Sequence, residues 1–160
     1  MIPHNTQIEL LVQILKEKQM TIATAESCTG GLLGKSITDI SGSSAVYPGG
    51  VISYCNRVKH EVLGVEQALL DRLGPVSMAV AQQMAAGVRR TVGADVGVGI
   101  TGIAGPNSDE TGRPVGLVYI GVSDGRTDIV REYRFDGDRN AVRAQAAEAA
   151  AELALQLIEE

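Results

Sequence analysis

The sequence has no tryptophan, one phenylalanine and four tyrosines, so aromatic residues fill only 3% of its 160 positions. Single-stranded nucleic acid is commonly held by stacking bases on aromatic rings, and duplexes by a basic face. Neither means is available here: the chain is acidic, with 19 Asp and Glu against 14 Lys and Arg and a formal charge of -5. No nucleic-acid partner is expected, and the core must be built from Ala, Val, Ile and Leu. Cysteine is also scarce. Cys28 and Cys55 fit no CxxC or Cys/His ligand spacing, and only His4 and His60 could join them around a metal, so no zinc site is expected. No run approaches the roughly 18 consecutive apolar residues of a membrane helix, and no apolar N-terminal stretch follows positive charge. The expectation is no membrane association and a cytoplasmic location.

What is present is the balance of a folded domain, 44% hydrophobic and 21% charged, in a chain long enough to bury a core without disulfides or metal. Residues 1–160 are therefore read as a single domain with one main site. Residues 5–19 place Ile8, Leu11, Val12 and Leu15 at helical spacing behind an Asn5 or Thr6 cap. The apolar, β-branched run MTIATA predicts a strand, followed by a glycine turn and a helix of about three turns carrying Leu33, Ile37 and Ile40. VYPGGVISY predicts a strand bent at Pro48-Gly49-Gly50, and a short helix or turn begins at Asn56. Ser77 caps an Ala-rich helix ending near Gly93; ADVGVGIT is a strand; two β runs joined at Asp124-Gly125 form a hairpin; a helix from about Arg139 to Ile158 closes the chain. Helices alternating with strands predict an α/β fold with a mixed, mostly parallel sheet covered on both faces. Ligands of such sheets bind at the carboxyl ends of strands, which directs attention to the loops after Ala25 and Ile100.

Two glycine patterns there are decoys. Gly34-Lys35-Ser36 matches the second half of a phosphate-binding P-loop, but Thr29 stands where its first glycine belongs, and Lys35 falls a turn inside the helix as a solvated residue. Gly97-Val98-Gly99-Ile100-Thr101-Gly102 fits a dinucleotide fingerprint, yet runs into Ile103-Ala104-Gly105-Pro106-Asn107 rather than a helix; close backbone packing explains it better.

Ser27 differs from both. It ends a buried strand just before a helix, where unpaired amides of Cys28 to Gly31 suit an oxyanion or a phosphate and Gly30 and Gly31 allow close approach. The competing explanation is that Ser27 or Thr29 merely caps the helix. A serine nucleophile needs a base. His4 and His60 are poor candidates, whereas Lys59, with Tyr54 to relay the proton, follows the second strand and could face Ser27 if the strands are neighbours. Glu26 could orient the base or bind substrate, and Cys28 would point away from Ser27. Thr101 and the Gly102 amide open a long glycine-rich loop at the same sheet edge; Arg139 and Arg143, four apart, could grip a phosphate or simply be solvated.

In order along the chain, AESCTGG (25–31), GGVISYCNRVKHEVLGV (49–65), GPVSMAVAQQMAAG (74–87), TGIAGP (101–106), RPVGLVYIGV (113–122) and GDRNAVR (137–143) together resemble the CinA C-terminal domain family. The resemblance implies a three-layer α/β/α sandwich, usually a homodimer. It further implies deamidation of nicotinamide mononucleotide to nicotinic acid mononucleotide and ammonia in pyridine-nucleotide salvage, with no metal or cofactor, in a stand-alone form of the domain. Ser27 matches the family's nucleophile, Lys59 and Tyr54 its proton-transfer partners, and Thr101 lines its site, with amides near Gly30 or Gly102 holding the oxyanion. One departure is Asn107 to Gly112, where relatives typically carry a Gly-Gly pair. A non-catalytic nucleotide- or partner-binding module, or an amidase for another carboxamide, would be built on the same features.

Overall fold

The computed structural model describes residues 6–159. Its elements run α1 (Gln7–Lys18), β1 (Ile22–Glu26), α2 (Leu32–Thr38), β2 (Gly49–Ile52), α3 (Asn56–Glu61), α4 (Gln67–Leu73), α5 (Met78–Val92), β3 (Val96–Gly102), β4 (Leu117–Ser123), β5 (Asp128–Arg134) and α6 (Arg139–Glu159). The sheet order is β2-β1-β3-β4-β5. β2, β1 and β3 pair in parallel, and the β3–β4 and β4–β5 pairs are antiparallel. Only β4 runs against the rest, so the sheet is mostly parallel by strand direction although its pairings split evenly.

Alternation along the central strands divides the core. Val96, Val98 and Ile100 of β3 join Ile22 and the apolar residues of α1, α2 and α6 on one face. Ala23 and Ala25 join Val80, Met84 and Val88 of α5 and Leu69 and Leu70 of α4 on the other. On this second face β3 presents Gly97 and Gly99, and a Cβ on Gly99 would stand 2.5 Å from the Ala81 carbonyl oxygen and 2.7 Å from the Ala85 nitrogen. The glycines let α5 lie almost on the strand backbone, which is the packing role expected for the G-x-G pattern.

Three helix ends are capped as predicted. Thr6 accepts from the Glu9 amide and Ser77 from the Val80 amide, and Gly93 ends α5 in a left-handed conformation; Asn5, the other expected cap, lies outside the described residues. Four details differ. α2 spans two turns rather than three, because Gly30 and Gly31, at φ +60° and +106°, belong to the turn before it. β2 begins at Gly49, so the glycines are strand residues rather than a bend. The hairpin turn is four residues long, with Asp124 Oδ1 accepting from the Arg126 and Thr127 amides. α4 had no counterpart in the sequence expectation, although Leu69, Leu70 and Leu73 ahead of Gly74 at φ +75° carry a short helical signature.

For function the register matters most. Glu26 is level with Ile52 on one side and Ile100 on the other. The next residues, Ser27, Ser53 and Thr101, therefore emerge side by side from the carboxyl edge of three parallel strands.

Candidate active site

Ser27 leaves β1 with its amide donating to the Ile100 carbonyl at 3.0 Å, so the residue is still tied to the sheet when the chain turns. Its carbonyl accepts from the Gly30 amide, closing a tight turn that Gly30 makes possible with its positive φ. Lys59 comes from α3, which Cys55 introduces directly after β2. Because β2 is the parallel neighbour of β1, this helix starts beside Ser27, and the lysine side chain runs inward. Only 1% of Lys59 is exposed, against 8% for Ser27.

The amine meets two oxygens. Lys59 Nζ donates to Ser27 Oγ at 3.0 Å and to the Ser53 carbonyl at 2.8 Å. Among the described residues no carboxylate lies within ion-pair reach of it. Burial without a counter-charge favours the uncharged form, and the Lys59 pKa falls from 10.5 to about 8. Burial acts oppositely on Cys28, whose thiol is pushed up to about 12 and stays protonated. The residue packs into the core on the α1–α2–α6 face while bordering the cavity. Of the two adjacent groups, the Ser27 hydroxyl is the one with the amine within hydrogen-bond reach.

A cavity of about 800 Å³ opens over this pair. Its walls include Tyr54, Lys59, Thr101, Gly102, Arg139 and the loop from Asn107 to Thr111. Thr101 is buried, with its hydroxyl donating to the Pro75 carbonyl at 2.7 Å, which ties the end of β3 to the entry of α5. Tyr54 sits at the rim, 64% exposed, and its hydroxyl accepts from Arg139 at 3.5 Å rather than touching Ser27 or Lys59. Arg139 also donates to the Gly105 carbonyl at 2.7 Å. Asp109 holds the acidic loop in shape by accepting from the Thr111 and Arg113 amides.

Five residues expected to hold substrate do not line this cavity. Glu26 lies on the opposite face of β1 from Ser27, and its two carboxylate oxygens accept from the Leu33 and Gly34 amides at 2.8 and 2.9 Å, capping α2 from below. Thr29, Gly30 and Gly31 form the turn itself; the Gly30 amide is committed to Ser27, which removes it as an oxyanion donor. The Cys28, Thr29 and Gly31 amides have no protein acceptor among the described residues and are the free donors of this turn. Arg143 donates to the Cys28 and Thr29 carbonyls. Sequence reasoning also missed Ser53, whose carbonyl orients the lysine; the level ends of β1 and β2 are the signal that would have placed it.

Lys35, exposed and paired with Asp39 at 2.7 Å, is a solvated helix residue as expected. His60 contacts the Val65 carbonyl and His4 lies outside the described residues. Among the described residues no three His, Cys, Asp or Glu side chains gather as metal ligands, and no helix is long and apolar enough to cross a membrane.

The sequence of residues 4–158 matches the model of the CinA C-terminal domain. The chain belongs to that family. Among curated CinA relatives, the nicotinamide-nucleotide amidohydrolase PncC of Enterobacter agglomerans is 49% identical over 144 residues, covering 87% of each chain. A CinA-like protein of Geobacter sulfurreducens is 45% identical over 143 residues, 89% of this chain and 35% of that one. The chain thus spans about a third of the length of several CinA relatives that it matches. In three dimensions it superposes on a CinA superfamily protein from Escherichia coli with a TM-score of 0.90 at 34% identity, covering 94% of this chain and 88% of that one. The competence/damage inducible protein CihA from Agrobacterium tumefaciens gives 0.89 at 34% identity over the full length of both.

Proposed function

We propose that the chain is an amidohydrolase that converts nicotinamide mononucleotide to nicotinic acid mononucleotide and ammonia, with Ser27 as nucleophile and Lys59 as proton carrier. The observation that carries the proposal is the buried contact between Lys59 Nζ and Ser27 Oγ, without a counter-ion, at the floor of a cavity large enough for a mononucleotide. The name of the Enterobacter agglomerans relative supplies the substrate.

The chemistry follows from the arrangement. With a pKa of about 8, roughly a tenth of Lys59 is neutral at pH 7, about 300-fold more than for a lysine at 10.5. The neutral amine takes the Ser27 proton as Oγ attacks the carboxamide carbon, and the carbonyl electron pair moves to oxygen. The free Cys28 amide, next to the nucleophile, is the oxyanion donor. The lysine ammonium then gives its proton to the departing nitrogen, ammonia leaves, and an ester remains on Ser27. Water attacks the ester, Lys59 again accepting a proton and returning it to Ser27 as the acid departs. Thr101 and Gly102 line the reacting end, and Arg139 with Tyr54 at the rim meets the phosphate.

Ammonia release from nicotinamide mononucleotide by the purified protein tests the reaction. Turnover of the mononucleotide with little turnover of free nicotinamide supports it. Hydrolysis of other carboxamides but not of this one would move the substrate, and tight binding without any ammonia would make the chain a binding module.

A further inference from the structure

Arg143 is four residues into α6 and absent from the cavity wall, yet it reaches the turn that carries the nucleophile. Its Nε donates to the Cys28 carbonyl at 3.1 Å and its Nη2 to the Thr29 carbonyl at 2.9 Å. The guanidinium lies so close over Gly30 that a Cβ there would stand 3.2 Å from Nη2. Three successive carbonyls of the segment are thereby tied: Ser27 to the Gly30 amide, Cys28 to Arg143, and Thr29 to Arg143 and the Leu32 amide.

In a trans peptide the carbonyl and the following N–H point in opposite directions. Holding the Ser27 carbonyl toward Gly30 turns the Cys28 amide away from it, and holding the Cys28 carbonyl toward α6 turns the Thr29 amide away from Arg143. These two amides, like that of Gly31, have no protein acceptor among the described residues. Glu26 fixes the other end of the segment through the Leu33 and Gly34 amides. We infer that Arg143 is a positioning residue: its planar fork locks the Cys28 and Thr29 peptides so that Ser27 Oγ and the free turn amides hold their reactive geometry without contact with substrate. The inference rests on the reading of Ser27 as nucleophile. A lysine in its place offers a point charge that cannot hold two carbonyls at fixed angles, and misplacement by about 1 Å can cost on the order of a hundredfold in rate.

The test compares Arg143→Lys and Arg143→Ala with the unmodified protein for kcat and KM in ammonia release, and for amide exchange over residues 26–32. The expected result is a kcat about 30- to 100-fold lower in Arg143→Lys with KM within about threefold, exchange of the turn amides at least about tenfold faster, and partial recovery of Arg143→Ala by millimolar guanidinium. A raised KM with kcat retained would overturn the inference and return Arg143 to phosphate binding, as would unmodified kcat and KM in both variants. Should the unmodified protein release no ammonia from the mononucleotide, the substrate assignment fails separately. Exchange then decides alone: unchanged turn protection in both variants overturns the clamp, and faster exchange confined to the turn sustains it.

Discussion

Replacing Lys59 with methionine keeps most of the side-chain volume and removes a buried amine that burial pulls from 10.5 to about 8. Below pH 8 both folded and unfolded chains carry the proton, and the folded state bears the full cost of holding a charge in a site with no carboxylate. Between pH 8 and 10.5 the unfolded chain binds the proton and the folded one does not, so stability rises with pH. The whole shift corresponds to about 3 kcal/mol, of which about 1 kcal/mol appears between pH 8 and 9. Cys28 works in the other direction: its thiol stays protonated to about 12 in the fold but ionises near 9 when unfolded, so it removes stability above pH 9. Both proteins carry Cys28, so the difference between them isolates the lysine. Urea unfolding of both proteins at pH 7, 8 and 9 should show the unmodified protein gaining about 1 kcal/mol on Lys59→Met between the last two points. A difference between the proteins that stays constant with pH would mean that Lys59 titrates as an ordinary solvated lysine, and the case for a neutral base would fall with it.

The same protonation governs rate: kcat/KM for ammonia release should climb about tenfold per pH unit below 8 and level off above it, whereas a flat profile from pH 6 to 9 would speak against an amine base. Glu26→Ala strips two buried amides of α2 of their acceptors and should cost about 2–4 kcal/mol in urea unfolding; a loss below about 0.5 kcal/mol would show that water replaces the carboxylate. Gly99→Ala forces a methyl against the Ala81 carbonyl and the Ala85 nitrogen of α5 and should lower stability by about 1–3 kcal/mol or more, while an unchanged unfolding midpoint would mean that the helix can retreat from the strand.

Local signals carried most of the fold because they act over one turn of chain. Thr6, Ser77 and Gly93 cap the helices at the expected positions, and Ser27 sits at the strand–turn–helix junction that its neighbours predict. The pairing of Ser27 with Lys59 was legible only conditionally, since it depends on β2 lying parallel beside β1, a contact between segments about thirty residues apart. Glu26 and Arg143 show where sequence stops. A carboxylate or guanidinium near a glycine turn is equally suited to a ligand or to the backbone of the turn itself, and only the meeting of β1, α2 and α6 decides for the backbone. Tyr54 is a similar case, at the rim with Arg139 rather than on the Ser27–Lys59 pair. The glycines of β3 were readable in the negative, because a helix-hostile loop follows them, but their purpose depends on α5, which packs from elsewhere in the chain.

The central claim is that the hydroxyl of Ser27 carries the reaction. The direct measurement is the steady-state rate of ammonia release by Ser27→Ala, taken with the affinity of the same variant for nicotinamide mononucleotide. A fall of at least about a thousandfold in rate with affinity kept within a few-fold is the predicted result; release within tenfold of the unmodified protein would contradict it.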